Sequence, residues 1–206
     1  MVNGLLAKIG MLVNPEIDCI NVNGQNLECK KLLYKLLLIN KPKYVITSCA
    51  DKFNRKTIID LLPSEYKKGY YPIGRLDYLS RGLLLITNNG ELCYKFSHPK
   101  FEHKKKYIVK IEGIFNKSYI EKWCAGIDLN GKKTNPCKIK LLDNNSKFFT
   151  IQVTLKEGRN RQIRRVANLL GYKVTDLKRI EFGGISLGDL KEGNWKLIKN
   201  FNFECI

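Results

Sequence analysis

The 206-residue chain has no apolar run near the roughly 18 residues that a membrane-spanning helix needs, so it offers no candidate for one. An apolar anchor, which a membrane-surface protein would use, is also missing. The opening MVNGLLAKIG has no basic leader ahead of a long apolar block, so no secretory signal is expected. Seven cysteines stand at 19, 29, 49, 93, 124, 137 and 204 with no C-x-x-C pair. An odd, unpatterned set points to reduced thiols and a cytoplasmic setting, or an organelle stroma or matrix if the true start carries a transit peptide. The only histidines, His98 and His103, share the loop-like SHPKFEHKKK and are too few for a ligand set, so no metal is expected. Neither a Gly-rich phosphate loop ending in Lys-Ser/Thr nor a G-x-G-x-x-G is found. With no cofactor expected, any chemistry falls to ordinary side chains.

Acid is scarce too: 19 Asp+Glu stand against 37 Lys+Arg, a formal net charge of +18. Such a field favours a polyanionic partner, and nucleic acid is the polyanion of choice. With 44% hydrophobic residues, the chain can bury one good core and carry a small appendage.

Along the chain, residues 2–27 are short apolar pieces broken by Asn-Gly, Asn-Pro and Asn-Gly, which reads as small strands. ECKKLLYK forms a joint, and LLLIN beyond it is a continuous apolar run typical of a strand buried on both faces. After Lys-Pro, YVIT resumes the strand, TIIDLLP is a short helix or turn ended by Pro63, and LLLIT (83–87) is a second buried strand with NNG as its turn. YIVKIEG alternates, with Tyr107, Val109 and Ile111 on one face; FFTIQVTL places Phe149, Ile151, Val153 and Leu155 together. SYIEKWCAGI has helical spacing up to Gly126, and DLKRIEF and NWKLI are the closing strands. Strands separated by a few helices, without a βαβ rhythm, predict an α+β fold around a mainly antiparallel sheet.

EGRNRQIRRVANLLGY is the one long amphipathic helix the pattern supports. At about 100° per residue, Arg161, Arg164, Arg165 and Asn168 share one side, opposite Ile163, Val166, Ala167 and Leu170. A solvated basic face is the plain reading. Three arginines and no lysine favour planar, bidentate recognition of phosphate or carboxylate. Taken alone, Asp77 in GRLDYLSRG reads as a cap or turn former, and Tyr107 as core or surface.

Together, GRLDYLSRGLLLITNNG, KKKYIVKIEG, EGRNRQIRRVANLLGY and LKRIEFGGISLGDLKEGNWKLI resemble, in order, spacing and wording, the RsuA/RluB family of pseudouridine synthases. The resemblance runs from about Lys35 to Ile198 and includes LLLINKP and TIIDLLP. It implies a pseudouridine synthase fold, a central, mainly antiparallel mixed sheet flanked by helices, that isomerises a specific uridine in ribosomal RNA without cofactor or metal. Asp77 matches the family's catalytic aspartate, Arg164 the arginine that pairs with that carboxylate, and Tyr107, in K-x-Y with Lys105, the aromatic residue that stacks on the target base. Arg75, Arg159, Arg161, Arg165 and Arg179 are expected to contact RNA, and Arg81, at a variable position, to add a phosphate contact. Residues 1–33 resemble only the strand-rich second half of an S4-type RNA-binding domain, so they are expected to form a partial S4-like segment, a small strand-rich remnant, with 34–206 as the catalytic domain. The expected partner is ribosomal RNA, free or in a pre-ribosomal particle, and the expected state a monomer.

Two rivals use the same residues. A non-catalytic rRNA-binding or ribosome-assembly factor would share the fold and charge but would tolerate loss of Asp77, Arg164 or Tyr107, and all three are present. A hydrolase cutting the glycosidic bond outright would need a second, suitably placed carboxylate, which the motifs lack.

Overall fold

A strand buried on both faces must be apolar at every position, and Leu36–Lys41 (β3) meets that condition: all six residues are buried. The computed structural model describes residues 1–14, 17–27, 33–199 and 201. Two compact units are formed, Met1–Tyr34 and Lys35–Ile206; the joint expected at ECKKLLYK falls largely on residues 28–32, outside the described residues.

In the first unit, β1 (Asn21–Val22) and β2 (Gln25–Asn26) form a two-residue hairpin. Asn23 and Gly24 turn it with φ of 51° and 82°, the doubly positive pair that matches the twist of the flanking strands. Short-range polar bonds support this unit: Asn3 Nδ2 donates to Asp18 Oδ1 at 2.8 Å, and the Cys19 amide donates to Asn3 Oδ1 at 2.7 Å.

The second unit continues from β3 with β4 (Tyr71–Ile73), β5 (Arg81–Thr87), α1 (Gly90–Ser97), β6 (Lys105–Glu112), α2 (Lys117–Ala125), β7 (Lys138–Asn144), β8 (Phe148–Leu155), α3 (Gln162–Leu169), β9 (Lys173–Phe182), β10 (Ile185–Ser186) and β11 (Trp195–Leu197). The strands build one sheet in the order β11-β3-β5-β9-β6-β8-β7, with β4 on β5 and β10 on β9. Every pairing is antiparallel except β5 with β9, so the expected α+β fold on a mainly antiparallel mixed sheet is present. Alternation along each strand sorts two cores. Leu37, Ile39, Leu84, Ile86, Val109 and Ile151 face α2 and α3, whereas Leu36, Leu38, Leu83, Leu85 and Phe182 face α1. Phe149, Ile151 and Val153 are fully buried, each worth about 2 kcal/mol over an exposed position.

Three local expectations need correction. YVIT does not resume a strand: Tyr44 turns to φ 63°, and only Ile46 makes a single bridge, to Thr57. NNG is more than a turn, because Asn89 caps α1 by accepting the Leu92 amide at 3.0 Å. The long amphipathic helix is only eight residues, Gln162–Leu169, since Arg161 before it adopts the left-handed φ of 48°.

At the parallel junction of β5 and β9 the two backbones come close together. Gly82 has φ 105°, and a Cβ there would collide with the backbone of Arg179. Gly82→Ala therefore combines backbone strain with a clash against a buried main chain, and should destabilise the protein by about 3 kcal/mol. A thermal melt unchanged from wild type would show that β5 and β9 can separate at no cost.

Candidate active site

The loop from Gly74 to Ser80 joins β4 to β5, and its backbone is held from three directions. Thr47 Oγ1 donates to the Leu76 carbonyl at 2.8 Å and accepts the Leu76 amide at 3.2 Å. The Tyr44 amide donates to the Tyr78 carbonyl at 2.8 Å. Lys41, at the end of β3 and fully buried, donates Nζ to the carbonyls of Ser80 (2.7 Å), Pro42 (2.9 Å) and Asp77 (3.2 Å). Burial lowers the Lys41 ammonium to about 8, while the nearby charges of Asp77 and Glu192 pull the other way. These bonds fix the main chain of Asp77 and leave its carboxylate uncommitted. Among the described residues that carboxylate makes no hydrogen bond or ion pair.

Asp77 opens onto a cleft of about 340 Å³ whose walls include Lys105, Tyr107, Arg161, Arg179 and Phe182. The sheet sets this arrangement, because β6 and β9 pair Tyr107 with Arg179 and Lys105 with Phe182. Tyr107 is 8% exposed, and lines the cleft with what remains. Lys105 Nζ donates to the His103 carbonyl at 3.0 Å and lies 5.2 Å from the centre of the Phe182 ring. Burial, then the charge of Arg179, lowers its ammonium to about 8.

The arginines do not all stand where the sequence suggested. Arg164 makes no direct ion pair with Asp77. It donates Nη2 to the Leu79 carbonyl at 3.0 Å, within the Asp77 loop, and Nη1 to the Val174 carbonyl at 3.1 Å. Burial, then Arg161, lowers its affinity for the proton, and the charges of Asp77 and Asp176 oppose that. Arg159 is engaged within the protein. It bonds Glu157 Oε2 at 3.0 Å through Nε and the carbonyls of Lys132 and Lys133 at 2.6 and 2.5 Å. Arg165 donates to Asn130 Oδ1 at 2.7 Å. Arg81, read as a phosphate contact, is consumed by Asp176 (2.7 Å) and Glu192 (3.2 Å). Burial alone would raise the Asp176 carboxyl, but Arg81 and Lys43 hold it down at about 2. Arg179 is 2% exposed, far too deep for a phosphate on the outer surface. Arg75 and Arg161 remain exposed on the rim.

Sequence reasoning missed Lys41 and Thr47 as the loop's anchors. For Lys41 there was a signal: a lysine closing an otherwise wholly apolar run, LLLINK. The stacked ring of His103 on Phe96, with centroids 4.7 Å apart beside the cleft, had none, since aromatic partners on different elements leave no local pattern.

What this arrangement offers chemically is a free carboxylate at the mouth of a basic, partly dry slot walled by aromatic rings. Comparison with known proteins gives it a context. Residues 35–169 match a family model described as RNA pseudouridylate synthase. The chain is 42% identical over 196 residues, 94% of its length and 79% of the other protein, to ribosomal large subunit pseudouridine synthase B of Bacillus subtilis. It is 34% identical over 195 residues to the dual-specificity RNA pseudouridine synthase RluF of Escherichia coli, covering 94% of this chain and 64% of that one. A crystal structure of a pseudouridylate synthase superimposes with a TM-score of 0.75 at 28% identity, over 96% of this chain and 84% of that one.

Proposed function

The chain belongs to the RNA pseudouridylate synthase family, and from that premise we propose that it isomerises a specific uridine of ribosomal RNA to pseudouridine with Asp77 as the catalytic carboxylate. One observation carries the assignment of roles: a carboxylate uncommitted within the fold, its main chain fixed, at a cleft whose walls also carry Lys105, Arg161 and Arg179. A nucleophile or base must be free to react. The target uridine leaves its stack to reach such a slot, and the Tyr107 ring offers a replacement surface. Arg75 and Arg161 on the rim are placed to meet flanking phosphates. The first unit supports the reading of an incomplete S4-type module only through its short strands. A cytosol-like compartment, a monomeric state and independence from metal complete the proposal.

The test is release of tritium from 5-labelled uridine in rRNA, followed by mapping of the modified position. Release with pseudouridine at one site is the expected result. Tight binding without release would replace this reading with that of a binding factor.

If the rim arginines meet phosphates, log affinity for RNA should fall linearly with log salt. Arg161→Gln should flatten that slope by about 0.7, the contribution of one phosphate on single-stranded RNA. Arg159→Gln should leave the slope unchanged and lower the melting temperature, because Arg159 bonds the protein itself. Equal slope changes in both variants would mean that Arg159 releases its carbonyls to bind RNA.

A further inference from the structure

Arg179 lies at the floor of the cleft with most of its guanidinium unused. Its Nε donates to the Leu83 carbonyl at 2.8 Å, and its centre lies 4.8 Å from the middle of the Phe182 ring. The two terminal nitrogens make no hydrogen bond among the described residues, and Nη2 is buried. Lys105 approaches the same ring and spends one donor on the His103 carbonyl. Neither cation has a carboxylate partner among the described residues. Two sparsely satisfied, largely buried cations beside Tyr107, with no counter-ion, describe a place for an anion or for strong acceptors. A phosphate is served by the exposed rim; the floor suits a flat ring with oxygens on its edge.

Uracil is such a ring. When the bond between N1 and the sugar C1′ breaks, its electron pair stays with the base and spreads over N1 and the two carbonyl oxygens. The sugar is balanced by Asp77, which either bonds C1′ or takes a sugar proton. Rejoining forms the C5–C1′ bond with electrons from C5 as the Asp77–C1′ bond breaks or the sugar proton is returned; the C5 proton then leaves to water, N1 takes a proton up, and Asp77 is restored. In between, a detached base carries negative charge in a slot with little water. We propose that Arg179 and Lys105 hold the carbonyl oxygens of the target uracil and stabilise the base as an anion between cleavage and rejoining. The inference rests on the proposed function and goes further by placing the charge of the departing base on two named residues. Phe182 packs against both cations, and burial lowers the proton affinity of the Lys105 ammonium, which makes it a stronger hydrogen-bond donor.

The experiment is single-turnover pseudouridine formation on a synthetic rRNA stem-loop carrying the mapped site, with the target as uridine or 2-thiouridine. Sulfur spreads the negative charge of the departing base by itself, so it lessens the need for protein cations. Arg179→Gln and Lys105→Gln should each slow the uridine substrate about 100-fold, as loss of a donor to developing charge does. RNA affinity should stay within about twofold, and on the 2-thiouridine substrate the loss should shrink below about tenfold. If Arg179→Gln does not fold, Arg179→Lys and Lys105→Gln carry the same comparison. Equal losses on both substrates, or weaker binding at an unchanged rate, would overturn the proposal. Wild-type turnover on the plain stem-loop separately tests the proposed function.

Discussion

Asp77→Asn should bind rRNA with wild-type affinity and form no pseudouridine. The substitution keeps the shape of the side chain and removes the negative charge. The position of the loop depends on main-chain bonds from Lys41, Thr47 and Tyr44, none of which involves the carboxylate. Stability should therefore change by no more than about 0.5 kcal/mol, as at a surface position without special contacts. The rate should fall by at least about 10⁴-fold, the scale seen when one member of a catalytic unit is removed. Filter binding, a circular dichroism melt and single-turnover kinetics on one preparation separate the three quantities. Near-wild-type turnover would make Asp77 a turn former and move the catalytic role to another residue.

How much of this was legible beforehand differed by the range of the interaction. β3, β5, β6 and β8 were readable because their patterns are local: unbroken apolar runs for strands covered on both faces, strict alternation for the others. The cleft's cast of Asp77, Lys105 and Tyr107 followed from the motif resemblance, and the sheet register brings Tyr107, Lys105 and Arg179 side by side. The partners of three arginines were hidden for a common reason. A guanidinium looks free in sequence unless its partner lies within a turn or two. Arg81 meets Asp176, 95 residues away; Arg159 meets the carbonyls of Lys132 and Lys133; Arg179 disappears under Leu83, 96 residues away. Backbone carbonyls are invisible as partners in any sequence. The helix boundary failed on a single residue, because nothing in EGRNRQ announces that Arg161 takes a left-handed conformation.

Arg164 is where a carbonyl partner hidden from the sequence has the largest consequence. Its guanidinium spans the Leu79 carbonyl of the catalytic loop and the Val174 carbonyl of β9, so it positions Asp77 through the backbone while its charge acts on the carboxylate from a distance. Arg164→Lys keeps the charge, but one ammonium on a flexible stem does not reproduce a planar fork across two acceptors. Turnover should fall about 100-fold, the cost of roughly an ångström of misplacement at a reacting group, with a stability loss of about 1–2 kcal/mol. Arg164→Met removes both donors and should lower stability by about 1–3 kcal/mol, since the part-buried Val174 carbonyl and the exposed Leu79 carbonyl lose their partner. A double-mutant cycle with Asp77→Asn decides between the two views of this residue. A direct carboxylate–guanidinium pair would couple the two sites by 1 kcal/mol or more, because each partner would strand the other. Positioning through Leu79 predicts near-additive stabilities, with coupling below about 0.5 kcal/mol, alongside a large loss of rate from either site alone. Strong coupling measured by denaturant unfolding would mean that the free protein spends its time with the pair formed, and that the carbonyl-bound arrangement is not its resting state.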